Sequence, residues 1–483
     1  MIKLLPTPRN HEIVNNEYHS IPALVYCDTE AWSDSINAFL DSFFKIHELR
    51  PALADSPNAG IVITRDTTLA ADAYTLDSTG GSLIIRAGDK EGLNYALASA
   101  LLLISCKDGD ITMQSLTVYD CPEKEYRALM IDTGHVWQPF DKMLKYVDLC
   151  YIYKIKYLHL HVVDFKLYAI PSKAFPNLNE EGRYYTYEQI DELKRYAAAR
   201  GILLVPEFEC PGHATPLNNA YPEIFANRSE GEQGEFYNEL GNRIDTRSLL
   251  CAGSEKAFEG IKILLKEMVE MFPDAPYIHI GGDEANYKWW DQCSECKKYM
   301  AEHNIGSSHE LYSEFVGRVA DYVLSLGKTP MVWEGFPKES SHYIPKETVV
   351  IAWESHYQLA NELLDGGFKI VNASWKPTYI VPSLELRWGP KEILEWSVYN
   401  WDHWWEKSVA TLNPISVPAT DDVLGGTICV WEITYEQAIS RILENLPAFA
   451  ERTWTVRRRL AYPEYSEINK SVFEKASAII EDK

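Results

Sequence analysis

From Tyr126 onward the chain alternates short β-rich runs with longer segments whose apolar residues recur at helical spacing. Eight runs stand out: Arg127–Asp132, Lys156–Val163, Ile202–Phe208, Tyr277–Gly281, Thr329–Trp333, Thr348–Trp353, Phe368–Val371 and Gly426–Trp431. Amphipathic stretches such as Tyr187–Ala199 and Glu255–Met271 lie between most of them. Thr186, followed three residues later by Gln189, forms a candidate capping box for the first of these stretches. Eight strand–helix alternations predict an α/β fold, a (β/α)8 TIM barrel. A doubly wound open sheet fits less well, because no Gly-rich phosphate loop accompanies the strands. Ahead of the barrel the pattern is that of a small α+β domain. Gly60–Ile63 and Ser82–Arg86 read as strands and Asp89–Leu103 as a helix with alanine and leucine on one face. Tyr119–Lys124, which contains Pro122, marks the boundary. The expected division is therefore a non-catalytic domain over residues 1–122 and a catalytic barrel over 123–483 that closes with a C-terminal helix.

In such barrels the site is built at the C-terminal ends of the strands. Reading those ends in turn gives Asp132 and His135, His161 and Asp164, then Glu207, Glu209 and His213. Asp283 and Glu284 follow, then Trp333-Glu334, Trp353-Glu354, Asn372 and Trp431-Glu432. Polar and aromatic residues at every end do not fit core filling. The centre of the pattern is Tyr277-Ile278-His279-Ile280-Gly281-Gly282-Asp283-Glu284, a buried strand that breaks into two glycines and two adjacent acids. Glycine permits close approach where a side chain would block it. Two neighbouring carboxylates repel, so one should hold its proton nearer neutrality and serve as a general acid.

Length and charge narrow the chemistry. A chain of 483 residues accommodates a barrel of about 250 residues plus an accessory domain. A formal net charge of −24 argues against nucleic acid or an anionic membrane as partner. Nine scattered cysteines suit a reducing compartment. Cys293-Ser-Glu-Cys296 has no second CxxC to complete a zinc site and no adjacent βαβ redox context, and reads as structural. No apolar run near the N-terminus resembles a signal peptide or a membrane span, so the expected location is cytoplasmic.

Thirteen of the fourteen tryptophans lie at or after Trp137, inside the expected barrel. A single Trp most often packs a core, but three at strand ends beside Glu point to a carbohydrate pocket, where indole faces stack on sugar C–H faces. Two adjacent acids are poorly placed to flank a glycosidic bond at the ~5–5.5 Å or ~6.5–9.5 Å that ordinary retaining and inverting enzymes use. They suit a 2-acetamido sugar better. One acid then protonates the leaving oxygen while its neighbour orients the acetamido group, whose carbonyl oxygen attacks the anomeric carbon.

His279-Ile-Gly-Gly-Asp283-Glu284 resembles the signature of the family 20 glycoside hydrolases, the β-N-acetylhexosaminidases. Tyr126-Arg127-Ala-Leu-Met-Ile-Asp132 is similar to that family's first strand, and Tyr184–Ile190 through Val205–Ala214 to its passage from helix 2 to strand 3. The N-terminal region also resembles the family's non-catalytic α+β domain. The resemblance implies an exo-acting, retaining hydrolase of terminal non-reducing β-linked N-acetylglucosamine or N-acetylgalactosamine. Glu284 would be the general acid/base and Asp283 the residue that orients the acetamido group. Arg127 would grip the sugar's 3- and 4-hydroxyls. Trp333, Trp353 and Trp431 would wall the acetamido pocket and the sugar face, and Tyr379 would donate to the acetamido carbonyl. Asp164, His213, Trp401 and Glu432 complete the expected substrate-binding set, with His161 and His279 supporting it. No metal or cofactor is expected. The expected partner is an oligosaccharide or glycoconjugate, and because barrel glycosidases often pair, a homodimer is a candidate assembly.

Three departures from the family pattern touch this site. After His161 the chain reads Val-Val-Asp164-Phe165-Lys166-Leu-Tyr168, where the family has His-x-x-Asp-Asp followed by an aromatic and an arginine. Ile380 and Val381 follow Tyr379 where an Asp is expected, and Glu432 follows Trp431 immediately rather than one residue later. Two other functions compete. A metal-dependent barrel hydrolase could draw ligands from His159, His161, His213, His279 and Asp283, but leaves the Trp-Glu strand ends unexplained. A non-catalytic sugar binder on the same barrel would be expected to lose the acid pair, which is intact.

Overall fold

The computed structural model describes residues 2–107, 110–227, 236–237, 243–244, 248–381 and 387–481. The N-terminal region forms an eight-stranded mixed sheet in which Asn10–Ile21 pairs antiparallel with Asp110–Asp120. The helices Ser33–His47 and Lys90–Leu103 carry most of the region's buried helical side chains. The expected helix is present, with Asp89 as N-cap accepting from the N–H groups of Glu91 and Gly92. The sequence reading found two of the strands. It missed the long outer pair because half-exposed antiparallel strands alternate apolar with polar residues and present no apolar run.

The second region is a closed barrel of eight parallel strands: β1 (Tyr126–Asp132), β2 (Tyr157–His161), β3 (Leu203–Glu207), β4 (Tyr277–His279), β5 (Thr329–Trp333), β6 (Val349–Ala352), β7 (Lys369–Asn372) and β8 (Val423–Val430). Each pairs with its sequence neighbour, and β8 closes the ring on β1 and β7. A short strand, Tyr379–Ile380, adds to β8 near its C-terminal end. The helices Tyr187–Ala199 and Glu255–Met271 have the expected bounds, and Thr186 and Gln189 close the capping box. Within the described residues no helix is long and apolar enough to cross a membrane.

Alternate residues of each barrel strand face inward. The interior therefore changes character along the axis. At the N-terminal end Tyr126, Tyr157 and Tyr277 pack ring on ring, with Tyr126 and Tyr157 stacked at 4.7 Å. Ala128, Met130, Val205, Met331 and Ile351 fill the middle. Toward the C-terminal end His159, Glu207 and His279 replace apolar side chains, all fully buried.

Arg127 corrects an expectation. It follows inward-facing Tyr126, so alternation turns it out of the barrel, and it stands at the end of β1 opposite the site. Its guanidinium donates to the carbonyls of Lys154, Lys124 and Glu125 and to the Tyr95 hydroxyl, and lies over the rings of Tyr95 and Trp454. Arg127 thus ties the barrel floor to the N-terminal region. A buried Lys154–Asp120 pair at 3.1 Å, to which Tyr74 also bonds, completes that junction.

Candidate active site

Strand β4 ends early because the backbone turns left-handed at Gly281 (φ 70°) and Gly282 (φ 98°). A Cβ on Gly281 would fall 1.9 Å from Glu209 Oε2, and one on Gly282 would fall 2.4 Å from Val332 Cγ2. No residue with a side chain fits either position. The turn delivers Asp283, 8 % exposed, and Glu284, whose side chain is 38 % exposed and opens outward. Glu284 holds φ 48°, and three other non-glycine residues past strand ends share this rare geometry: His213, Ser355 and Glu432. Strained backbone of this kind concentrates at functional sites.

Behind the acid pair runs a chain of alternating carboxylates and imidazoles. Glu207 is its root. Its carboxylate meets His161 Nδ1 at 2.5 Å, His279 Nδ1 at 2.8 Å and His159 Nε2 at 2.9 Å, and accepts the Trp333 indole N–H at 2.6 Å. Burial alone would push the Glu207 carboxyl up, but His161, His279 and His159 more than offset it and hold it well below its usual range. His161 Nε2 meets Asp164 Oδ2 at 2.7 Å, and Asp164 Oδ1 meets His213 Nδ1 at 2.8 Å. The far nitrogen of His213 lies 3.7 Å from Asp283 Oδ2 and 3.8 Å from Glu284 Oε2. Burial works against a charge on His213, yet Asp164 and Asp283 raise it to about 10. The imidazolium therefore stands beside both acids. His279, dominated by burial, is lowered to about 4 and is neutral.

The two acids differ in setting. Burial, opposed by His213 and assisted by Glu284, raises Asp283 to about 7. Glu284 is also raised, first by the protein walls around it, with His213 opposing and Glu354 and Asp164 adding. Asp283 Oδ1 is buried and has no protein partner. Glu209, beneath Gly281, is fully buried, and burial with the nearby acids Asp283 and Glu207 pushes its carboxyl well above the usual range.

Aromatic rings line one side. Trp333 lies 6.2 Å from Trp353 and 6.1 Å from Trp431, and Tyr379 is stacked near-parallel to Trp353 at 6.3 Å and to Trp431 at 6.4 Å. Trp375, which the sequence reading passed over, stacks on Tyr379 at 4.2 Å and donates its indole N–H to Glu354. Trp404 meets Trp375 edge-on at 5.7 Å. Continuing the β7 alternation from Val371 through Ala373 would have pointed to Trp375. His135 is a further omission from the expected site set, although it stands at the end of β1. It lies 3.1 Å from both Asp132 and Asp164, and although burial opposes its charge, those two acids raise its pKa.

Two expected sugar contacts fall elsewhere. Trp401 is fully buried and donates to the Ala352 carbonyl, so it is a core residue behind β6. Asp164 is 1 % exposed with both oxygens taken by imidazoles, so it links His161 to His213 instead of meeting a hydroxyl. Phe165, at the first departure, packs on His213 at 4.6 Å. Glu432 is exposed beside Trp431, and its backbone N–H is fixed by Asp132. Glu334, of the first Trp-Glu pair, is spent on architecture. Its carboxylate accepts backbone N–H groups from Trp353, Ser355, His356, Tyr357 and Gln358 and so shapes the turn after β6.

A paired acid at the mouth of a parallel barrel, tuned by buried imidazoles and walled by indoles, defines a barrel glycoside hydrolase. Sequence comparison specifies it further. The family description "Glycosyl hydrolase family 20, catalytic domain" matches residues 125–457, and "Glycosyl hydrolase family 20, domain 2" matches 1–121. The chain belongs to glycoside hydrolase family 20. A β-hexosaminidase β subunit of Entamoeba histolytica is 26 % identical over 406 residues, covering 80 % of this chain and 69 % of its own. A β-hexosaminidase of Akkermansia muciniphila is 28 % identical over 343 residues, 67 % of this chain and 68 % of its own. Among solved structures, the exo β-N-acetylglucosaminidase of Vibrio harveyi in complex with N-acetylglucosamine superposes with a TM-score of 0.82 at 21 % identity. That match covers 99 % of this chain and 77 % of the other.

Proposed function

We propose that the protein is an exo-acting β-N-acetylhexosaminidase that removes terminal non-reducing N-acetylglucosamine or N-acetylgalactosamine with retention, the substrate's own acetamido group serving as nucleophile. The observation that carries this is the placement of Asp283 and Glu284 on consecutive residues of one turn, against the box of Trp333, Trp353, Tyr379 and Trp431. With the sugar seated on these rings, its acetamido carbonyl oxygen attacks C1 from below. Glu284 gives its proton to the departing oxygen. Asp283, with Oδ1 unpartnered, accepts the acetamido N–H and offsets the positive charge of the cyclised oxazolinium. Glu284, now ionised, takes a proton from water, which opens the ring at C1 and restores the β-configuration. The indole N–H groups of Trp404 and Trp431 have no protein acceptor and supply donors for the sugar.

The same reading takes oligosaccharides or glycoconjugates as substrates and no nucleic acid, in keeping with the net charge of −24. A cytoplasmic, homodimeric enzyme is the working expectation, to be tested by fractionation and by sedimentation. The reaction itself is tested on an unactivated disaccharide. Glu284→Gln should lower turnover by ~10²–10⁴, the usual worth of a general acid, and Asp283→Asn should cripple it as well. A thiazoline mimic of the cyclised intermediate should bind the native enzyme tightly. Full turnover by Glu284→Gln would remove that residue from the acid role.

A further inference from the structure

Cys293 and Cys296 look self-contained in the sequence. The fold brings a third thiol to them from 42 residues upstream. Cys251 Sγ lies 3.7 Å from Cys293 Sγ and 3.7 Å from Cys296 Sγ, and all three sulfurs fall within 4.8 Å of one another. All three side chains are fully buried. A disulfide requires sulfurs about 2.05 Å apart and joins only two. A single tetrahedral zinc ion, with Zn–S near 2.3 Å, spaces its thiolates ~3.8 Å apart. The two sides of the triangle that meet at Cys251 have that length. A fourth donor is adjacent, for Glu295 Oε2 stands 3.8 Å from Cys251 Sγ. Cys293 caps the helix Ser294–His303 and Cys296 lies in its first turn, where the helix N-terminus favours thiolates.

The surrounding backbone is built for close approach. A Cβ on Gly253 would lie 2.6 Å from Cys296 Cα, so only glycine lets the Cys251 loop press directly on that helix. The same loop spans the neighbouring parts of the active site. Leu250 N–H donates to the Pro211 carbonyl, two residues before His213, and Trp290, six residues after Glu284, donates its indole N–H to the Leu250 carbonyl.

We propose that Cys251, Cys293 and Cys296, with Glu295 as fourth ligand, bind one structural Zn²⁺ that staples the loop after β3 to the loop after β4. The ion takes no part in bond cleavage. Binding releases the protons of the three thiols and couples the ion to folding. It fixes the segment that carries His213 against the segment that carries Asp283 and Glu284.

The test is metal and thiol stoichiometry on the full-length protein purified under reducing conditions without chelator. One zinc per chain is expected by elemental analysis. A mercurial titration in the presence of a colorimetric zinc indicator should release that zinc as three thiols react. Cys251→Ala, Cys293→Ala and Cys296→Ala should each bring bound zinc to background, whereas Glu284→Gln and His159→Gln should retain it. Cobalt substituted for zinc should give sulfur-to-metal charge-transfer bands, and Glu295→Gln should shift its ligand-field bands. Where a cysteine variant does not fold, the mercurial and cobalt measurements on the native chain decide. The proposal is overturned if the native protein binds no zinc even after reconstitution, or if these thiols react without releasing metal. Recovery of two of them as a disulfide, or zinc lost with His159 but kept without Cys251, would also overturn it.

Discussion

Asp283 and Glu284 share one imidazolium, and His213 stands almost equidistant from both. Its positive charge lowers the proton affinity of each acid. That charge is secured through Asp164, His161 and Glu207, so a side chain at the barrel's centre sets the electrostatics at its mouth. In His213→Gln both acids lose a neighbouring cation and both titrate higher. The pH profile of kcat/KM should therefore move as a whole to alkaline pH, with the alkaline limb shifting as well as the acid limb. An unmoved profile would mean that His213 is neutral in the working enzyme. The same residue makes stability pH-dependent. With its pKa raised from 6.5 to about 10, His213 contributes stability fully below pH 6.5, and that contribution is lost as the pH climbs through about 10.

The site depends on turns as much as on strands. Glu334 gathers five backbone N–H groups of the segment after β6, which presents Trp353 and Glu354. In Glu334→Ala those donors lose a buried acceptor, and each one left unsatisfied costs about 1–3 kcal/mol. Thermal unfolding should show a lowered Tm and steady-state kinetics a raised KM for an N-acetylglucosaminide. Unchanged values of both would mean that the turn holds its shape without the carboxylate. The sequence made the strands and their ends legible because burial on both faces leaves continuous apolar runs that stop where the site begins. Asp283, Glu284, Trp333, Trp353 and Trp431 were all reached by following those ends, whereas Tyr379 came only from the family resemblance. The turns were less legible. A Glu after a strand looks the same whether it accepts an indole N–H, as Glu354 does from Trp375, or is wrapped by backbone, as Glu334 is. Trp401 misled for a related reason, since an aromatic-rich segment shows how many rings it carries but not which of them the fold buries.

At the scale of the molecule, the two regions are joined through polar side chains buried beneath the barrel. Arg127 and Lys154 both lie against Trp454, and Tyr95 and Asp120 reach them from the N-terminal region. Strand direction accounts for the misplaced expectation about Arg127. A residue near the start of a barrel strand stands far from the face where chemistry occurs. Arg127→Leu should therefore lower Tm while leaving KM for an N-acetylglucosaminide unchanged, and a raised KM at unchanged Tm would restore the sugar-gripping role. The claim on which the whole account turns is that the substrate's amide performs the attack. The direct measurement is kcat/KM for paired 4-nitrophenyl β-glycosides that differ only in the group at C2. The N-acetylglucosaminide should be cleaved readily and the glucoside not detectably, whereas comparable cleavage of the glucoside would contradict the account.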